Sequence, residues 1–321
     1  MTVDRAQFRD AGRYRLALLS ELGAPLLRAA ARATSRGTPV PPEQWRTGVI
    51  LGNGHIGDVL YRTCSLDLLR RGLPQCQWSY LTTPLGAALL ERNPSIHNVL
   101  PWMLDRDPER IAPDRYAELK SRNFDVALCT ENVQHHRALL LALRLGIPNR
   151  VAFTGKGLSG LTTFGVDLPR PLSRPAQFRY MVQRLTGLAD TPPLRPHAFP
   201  SEADRIAASA EWSRLQLPTA ALVIACSATT RQRIGDFPPT LFTAILRDAL
   251  ASAPEAYVLL AGSADDAGVL AAMARELGER TVVSAGVLSV LGYESLLGRC
   301  AAFIGADSGP RHLANAAGIP V

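Results

Sequence analysis

Cysteine is scarce in this sequence and does not occur in the pairs that hold metals or carry out redox chemistry. Five cysteines are spread along the chain, an odd number with no CxxC pair among them. They are Cys64, Cys76, Cys129, Cys226 and Cys300. This pattern argues against a disulfide-stapled secreted domain and against a zinc module. The thiols are predicted to be reduced core residues, and the sequence predicts no metal site.

Long apolar runs are also lacking. No segment approaches the roughly 18 apolar residues that cross a bilayer, and the run at 16–19 is interrupted by Ser20 and Glu21. The first residues alternate arginine with aspartate, where a signal peptide has its apolar core. We therefore expect a cytoplasmic protein without an integral membrane segment.

Lysine is rare compared with arginine, although the chain as a whole is basic. The formal net charge is +7 and the pI is about 9.5, and the arginines are distributed along the whole sequence. No RNA-binding or DNA-binding motif accompanies this charge. The expected partners are phosphorylated ligands or an anionic membrane face, and not nucleic acid.

The first 46 residues are rich in alanine, leucine and arginine, and their leucines recur at roughly helical spacing. These leucines are Leu16, Leu19, Leu22, Leu26 and Leu27. One or two amphipathic helices are predicted here. Such a helix either packs on the first domain or rests as a basic helix on a membrane surface, and the sequence leaves both open.

After Trp45 the sequence changes to short apolar runs that alternate with helical stretches, which is typical of parallel α/β domains. The predicted strands are 47–51, 77–82, 98–101 and 124–130, then 221–225, 256–261, 281–283 and 302–305. A single helix is predicted at 56–71. With 321 residues, 47% of them hydrophobic, two domains are expected. They are predicted at 47–190 and 201–321 with a proline-rich linker at 191–200, so that two Rossmann-like domains face a cleft.

The first strand is followed by a glycine turn, residues 52–58, with the sequence GNGHIGD. It matches the GxGxxG pattern of dinucleotide-binding domains in the right context. That class also needs an acid at the end of the second strand, where this chain has Thr82 and Thr83 instead. A nicotinamide-dependent dehydrogenase is therefore disfavoured. Asp58 is either an acid favoured by the helix dipole or a general base facing the ligand crevice.

The last predicted strand runs into a second turn, the C-terminal turn, residues 305–312 with the sequence GADSGPRH. The free N–H groups at the start of the following helix, together with its dipole, suit a phosphate. An ordinary N-cap with proline in the first turn explains Asp307, Ser308 and Pro310, but not Arg311 and His312 beside them.

Several segments resemble family-nine glycosyltransferases, the family typified by ADP-heptose:lipopolysaccharide heptosyltransferases. Residues 305–320 are similar to its DSGPxHLAxAxGxP signature, and residues 56–60 to its IGDVL motif. Shorter similarities lie at 93–96 (NPSI), 124–126 (FDV) and 260–263 (LAGS). The resemblance extends from about residue 48 to residue 321.

This resemblance implies an α/β fold of GT-B type, with the acceptor in the N-terminal domain and the donor in the C-terminal domain. It implies an inverting, metal-independent transfer without a cofactor, from an ADP-heptose or similar nucleotide sugar to a saccharide. A lipopolysaccharide core or another lipid-linked saccharide at the inner face of the inner membrane is the implied acceptor. Asp58 matches the catalytic base. The implied donor contacts are Thr229, Thr230, Asp307, Ser308, Gly309 and His312, and the acceptor-side residues are Gly54, His55 and Gly57.

The chain departs from the family pattern in two places. The family's lysine before Trp-Pro is missing from residues 234–238, so Arg231 or Arg233 is expected to supply the positive charge. The chain also stops at Val321, inside the next expected strand, which indicates a shortened or specialised member. A non-catalytic nucleotide-sugar binding protein is the alternative, followed by an NAD-dependent oxidoreductase.

Two further motifs carry less weight. Asp105 and Asp107 form a DxD sequence, the metal motif of another glycosyltransferase fold, but their polar surroundings predict a solvated turn. His135 and His136 follow the strand at 124–130, where they either touch the acceptor or serve the structure.

Overall fold

A computed structural model describes residues 3–4, 10–52, 54–102, 113–130, 135–167, 172–190, 193–218, 221–229 and 237–321. These residues form two compact units. The first takes in residues up to 54, together with 62–87 and 94–194, and the second takes in 55–61, 88–93 and 195–321. Within the described ranges, no helix has the length and apolar character needed to cross a membrane.

The first unit contains a six-stranded parallel sheet of order β3-β2-β1-β4-β5-β6. Its strands are β1 (Thr47–Leu51), β2 (Gln77–Thr82), β3 (Asn98–Pro101), β4 (Val126–Cys129), β5 (Asn149–Phe153) and β6 (Phe164–Val166). Its helices are α1 (Ala11–Leu22), α2 (Ala24–Thr34), α4 (Leu66–Gly72), α5 (Pro84–Leu90), α6 (Pro113–Ser121), α7 (His135–Arg144) and α8 (Arg174–Thr186), while α3 (Ile56–Thr63) begins in the second unit. This strand order is that of doubly wound nucleotide-binding sheets.

Two strands of this sheet, β5 and β6, were not predicted. The β5 sequence is NRVAF, in which Asn149 and Arg150 hide the apolar pattern of a buried strand, yet all five residues are buried. The Arg150 side chain donates hydrogen bonds to the carbonyls of Leu161 at 2.6 Å and Ile147 at 2.5 Å. Because these carbonyls satisfy its donors, the guanidinium is tolerated inside the sheet.

The helix predicted at 56–71 is two helices, α3 and α4. The chain leaves the helical region at Ser65, where φ is −128° and ψ is 2°. The apolar pattern across 56–71 does not reveal this break, because buried apolar residues occur on both sides of it, at Val59, Leu60, Leu66 and Leu69.

The second unit has a four-stranded parallel sheet of order β10-β7-β8-β9. Its strands are β7 (Leu222–Ser227), β8 (Ala256–Gly262), β9 (Thr281–Ala285) and β10 (Ala302–Gly305). Its helices are α9 (Glu202–Arg214), α10 (Pro239–Ser252), α11 (Ala267–Leu277), α12 (Val290–Leu297) and α13 (Gly309–Ala317). Helix α9 was not predicted, although Ser201 and Asp204 form the reciprocal capping box that marks its start.

All five cysteines are free and buried, as predicted. Burial raises the pKa of Cys76, Cys129, Cys226 and Cys300 to about 12. The neutral thiol is therefore the stable form in the core, where it packs as a small apolar group.

Candidate functional site

The second sheet brings two separate loops together at one edge. Strands β7 and β10 are parallel neighbours on either side of the reversal in strand order, and Ser227 pairs with Gly305. Thr229 lies two residues beyond the end of β7, and Asp307 lies two residues beyond the end of β10. The carboxyl ends of neighbouring parallel strands at such a reversal are where α/β domains bind ligands. Three other predicted donor residues, Thr230, Arg231 and Arg233, lie outside the described residues.

The close approach of these loops depends on Gly305. A Cβ atom at this position would lie 2.8 Å from the Ser227 carbonyl oxygen and 2.8 Å from the Phe303 ring. Since real Cβ contacts are essentially never that short, a larger residue would displace the C-terminal turn from β7. Glycine at this position therefore sets the distance between the two halves of the site.

The start of α13 offers backbone N–H groups. Ser308 occupies the N-cap position with φ −145° and ψ 179°, but among the described residues its side chain makes no capping hydrogen bond to the helix. Its hydroxyl instead donates to the Ala306 carbonyl at 3.3 Å. A helix N-terminus that its N-cap side chain leaves unsatisfied attracts an anion through its N–H groups and its dipole. Ser308 thus holds the N-cap position with Pro310 in the first turn, but its side chain does not cap the helix.

Asp307 and Arg311 form an ion pair across this turn, with 2.7 Å between the Arg311 Nη2 and Asp307 Oδ1 atoms. Both side chains are well exposed, at 42% for Arg311 and 80% for Asp307. An exposed pair of this kind is held weakly. Arg311 is thus available to an incoming phosphate. Its pairing with Asp307 places it among the candidate site residues, where the sequence did not predict it.

The His312 side chain is more enclosed than those of Asp307 and Arg311, with 26% exposure. Its pKa is lowered, first by burial and then by the neighbouring positive charge of Arg311, while Asp307 and Asp58 act in the opposite direction. The imidazole is therefore mainly neutral near pH 7. Two phosphate charges placed beside it would favour the protonated form.

The glycine turn is filled by side chains of the protein itself. A Cβ at Gly52 would lie 2.6 Å from the Tyr80 ring, and a Cβ at Gly54 would lie 1.8 Å from the Thr83 methyl group. The Thr83 hydroxyl also donates to the Gly54 carbonyl at 2.9 Å. These contacts, all within the first unit, explain two glycines of the GxGxxG pattern without a bound dinucleotide.

The first turns of α3 belong to the second unit, where they lie against the C-terminal turn. A Cβ at Gly57 would lie 2.5 Å from the His312 ring, and a Cβ at Gly309 would lie 3.0 Å from the Ile56 side chain. Asp58 follows Gly57, is partly buried, and is close enough to His312 to affect its pKa. The structure therefore brings together a carboxylate, an imidazole and a helix N-terminus.

The other predicted residues are placed as follows. His55 is exposed in the second unit, and Gly54 is buried in the first. His135 is buried, with its Nε2 atom 3.3 Å from the Gly157 carbonyl oxygen, and burial lowers its pKa to about 4. His135 is therefore a structural residue. Asn53, Asp105 and Asp107 lie outside the described residues.

A family model described as glycosyltransferase family 9 (heptosyltransferase) matches residues 116–321. No curated protein sequence matches the chain.

Solved structures show similar folds. A family 9 glycosyltransferase from Veillonella parvula has 18% identity and a TM-score of 0.73, covering 88% of this chain and 81% of that one. The ADP-heptose lipopolysaccharide heptosyltransferase II of E. coli has 21% identity and a TM-score of 0.66, with 85% and 83% covered. E. coli heptosyltransferase WaaC with ADP has 15% identity and a TM-score of 0.65, with 85% of each chain covered. The shared fold is of GT-B type, as predicted.

Proposed function

Because the chain belongs to glycosyltransferase family 9, the heptosyltransferase family, we propose that this glycosyltransferase moves a heptose or similar sugar from an ADP-sugar to a saccharide hydroxyl. The donor proposal draws support from the two E. coli structures, one named for ADP-heptose and the other containing ADP. The proposed acceptor is a lipopolysaccharide core, and the name of heptosyltransferase II contains lipopolysaccharide.

The observation that carries the proposal is the contact between Gly57 and His312 within the second unit. It places Asp58 next to the start of α13. A base and a diphosphate site are the two parts that a glycosyl transfer needs, since one group must accept the acceptor's proton while another stabilises the leaving group.

In the proposed reaction the acceptor oxygen attacks the anomeric carbon as Asp58 accepts its proton. The bond from that carbon to the diphosphate oxygen breaks, and its electron pair leaves with ADP. Attack on the face opposite the leaving group inverts the anomeric configuration. The new negative charge is stabilised by the N–H groups of α13 and by His312, with Thr229, Thr230, Asp307, Ser308 and Gly309 around the donor.

The proposal assigns the positive charge to protein side chains and requires no metal or cofactor. Arg311 lies in the turn, and Arg231 or Arg233 follows β7 in the sequence. A guanidinium is well suited to phosphate oxygens because it presents several N–H donors in one plane. Transfer should then continue at an undiminished rate with excess chelator present, and a loss of activity that added Mg²⁺ restores would contradict this part of the proposal.

Calorimetric titration with ADP, UDP, GDP and NADH tests the donor. We expect selective ADP binding that is weakened in Asp307→Ala and His312→Ala. Two exposed residues far along the chain from the turn, Asp265 and His97, provide matched controls as Asp265→Ala and His97→Ala. Binding of no nucleotide, or preference for NADH over ADP, would overturn the proposal. ADP binding without transfer to any saccharide would favour a non-catalytic binding protein.

A lipopolysaccharide core is assembled on a lipid, so we also propose that the enzyme works as a peripheral protein at the cytoplasmic face of the inner membrane.

A further inference from the structure

Helices α1 and α2 present an unusual leucine face to the solvent. The exposed fractions of its side chains are 67% for Leu16, 40% for Leu18, 62% for Leu19, 81% for Leu22 and 78% for Leu26. Isolated exposed leucines are common on protein surfaces, but five within two consecutive helices form a patch that usually has a partner.

The opposite sides of these helices face the rest of the first unit. Ala17, Ala24 and Ala31 are buried there. The Ser20 hydroxyl accepts a hydrogen bond from the Leu158 N–H at 2.9 Å, and the Glu21 carboxylate accepts one from the Ser159 N–H at 2.9 Å. Apart from Leu27, which packs against the core, the two helices turn small and polar residues inward and leucines outward. This is the reverse of a helix that serves only the core.

The charges on the helices that carry the leucine face are mostly positive, and the exposed acid at the start of α1, Asp10, accepts a hydrogen bond from the Arg13 N–H as its N-cap. Arg13, Arg15, Arg28 and Arg32 are all exposed on the same two helices. Glu21 is the single acid within α1 and α2, and it is turned toward Ser159. An apolar surface bordered by arginines is complementary to a surface that is apolar within and anionic at its boundary.

We propose that the leucine face docks on an anionic phospholipid bilayer, with α1 and α2 lying in the membrane interface. The leucines would enter the boundary between headgroups and acyl chains, while the arginines would contact lipid phosphates. With 12 and 11 residues, the helices are too short to span the bilayer. The inference extends the proposed function by assigning its membrane-facing surface, but it rests on these two helices alone.

A second copy of the chain fits the leucine face less well than an anionic bilayer does. In a two-fold dimer the same patch meets itself, so the arginines of one copy would approach those of the other. No acid exposed on α1 or α2 could pair with them. Like charges placed together in this way oppose association, whereas lipid phosphates favour it.

Vesicle co-sedimentation of the full chain tests the proposal. We expect strong binding to phosphatidylcholine mixed with phosphatidylglycerol, weak binding to phosphatidylcholine alone, and loss of binding at high salt. Leu22→Glu with Leu26→Glu should weaken binding by at least about tenfold. The same change at two residues exposed to a comparable degree in the second unit, Ile206→Glu with Val287→Glu, should leave binding unchanged.

The arginines can be tested separately. Each arginine near an anionic surface strengthens membrane binding by about fivefold. Arg15→Gln with Arg28→Gln should therefore weaken binding by roughly 25-fold and reduce its salt dependence. A salt dependence that these substitutions leave intact would contradict the proposed contact between arginine and phosphate.

A fluorescent label reports the orientation of the surface. Since all five native cysteines are buried, Leu22→Cys can be labelled selectively with an environment-sensitive dye, and Ile206→Cys serves as the control. A blue shift at position 22 alone on adding anionic vesicles is expected. No vesicle binding, or equal shifts at both positions, would overturn the inference. Self-association that Leu22→Glu with Leu26→Glu abolishes, without vesicle binding, would assign the surface to a second copy.

These assays contain neither donor nor acceptor. Vesicle binding by a chain that transfers no sugar would leave this inference standing while the proposed function fails. Sugar transfer to a water-soluble acceptor without vesicle binding would have the opposite meaning.

Discussion

The two glycine-containing turns of this protein follow parallel strands and open helices, yet they are filled differently. In the glycine turn, the space beside Gly52 and Gly54 is taken by Tyr80 and Thr83 of the same unit. In the C-terminal turn, the helix start is surrounded by partly exposed polar groups, among them Ser308, Arg311 and His312. A glycine-rich pattern therefore indicates close approach of some atoms, but it does not say whether those atoms belong to a ligand or to the protein.

The two turns also have different tasks in the proposed reaction. The glycines of the first allow α3 to start close to other side chains, so that Asp58 reaches the second turn. In the proposed reaction the second turn supplies the donors and the positive charge for the diphosphate. Proton acceptance and leaving-group stabilisation would then come from residues far apart in the chain.

The largest effect is expected from Asp58→Asn, which keeps the shape of the side chain and removes its basicity. Transfer should fall by about 10²–10⁴-fold, because loss of a positioned general base costs that much. ADP affinity, measured by calorimetry, should change little, since the donor contacts remain. Asp265→Asn is the matched control for an exposed acid. If Asp58→Asn transferred sugar at the wild-type rate, Asp58 would not be the base.

The two units are also expected to respond to pH in opposite directions. In the first unit, His135 has a pKa lowered to about 4 by burial and by the positive charge of Lys156. In the second unit, Glu294 on α12 has a pKa raised to about 7, mainly by burial. Each difference from the ordinary pKa corresponds to roughly 3 kcal/mol of unfolding free energy.

The signs follow from which state holds more protons. The contribution of neutral His135 to the unfolding free energy is complete above its unfolded pKa of 6.5. It is lost as the pH falls toward 4. The contribution of protonated Glu294 to the unfolding free energy is complete below its unfolded pKa of 4.5. It is lost as the pH rises toward 7.

Denaturant unfolding of His135→Gln and Glu294→Gln across this range tests both effects. The unfolding free energy of Glu294→Gln should gain on the wild type as the pH rises, and that of His135→Gln should gain as the pH falls. Parallel pH curves for a variant and the wild type would show that the substituted group does not titrate as described.

Gly57→Ala tests the contact that joins the two turns. The added methyl group would lie 2.5 Å from the His312 ring, so we expect a loss of about 1–3 kcal/mol in stability together with weaker transfer. Gly268→Ala is the control, because this helical glycine has no atom within 4 Å of an added Cβ. It should be neutral or stabilising by about 0.5–1 kcal/mol. Equal stability of the two variants in thermal unfolding would contradict a close contact between Gly57 and His312.

The smallest expected effect is the pH dependence of ADP binding. His312 starts with a lowered pKa, and two phosphate charges should raise it, so binding takes up protons and becomes tighter as the pH falls. We expect a few-fold change, measured by calorimetry in buffers of different ionisation enthalpy. In His312→Gln this dependence should disappear. A wild-type affinity that does not vary with pH would place the diphosphate away from His312.

Much of the fold follows from local patterns. Strands β1, β2, β3 and β10 lie where the apolar runs predicted them. For β1 and β2 the reason is that a parallel strand buried on both faces is largely apolar. Strand β5 was missed because Asn149 and Arg150 interrupt its apolar pattern, and one acceptor that satisfies Arg150 inside the sheet, the Leu161 carbonyl, lies further along the chain. The break between α3 and α4 was missed because buried apolar residues occur on both sides of Ser65.

The sequence alone determined the α/β class, and it led to two predictions, Asp58 as the base and an anion site at the C-terminal turn. Each depends on residues close together in the chain, whose spacing sets which face or turn they occupy. Only the tertiary structure decided that the glycines near β1 accommodate Tyr80 and Thr83, and that Gly57 meets His312. Contacts between residues separated by most of the chain depend on how helices and sheets pack, and no local spacing specifies that packing.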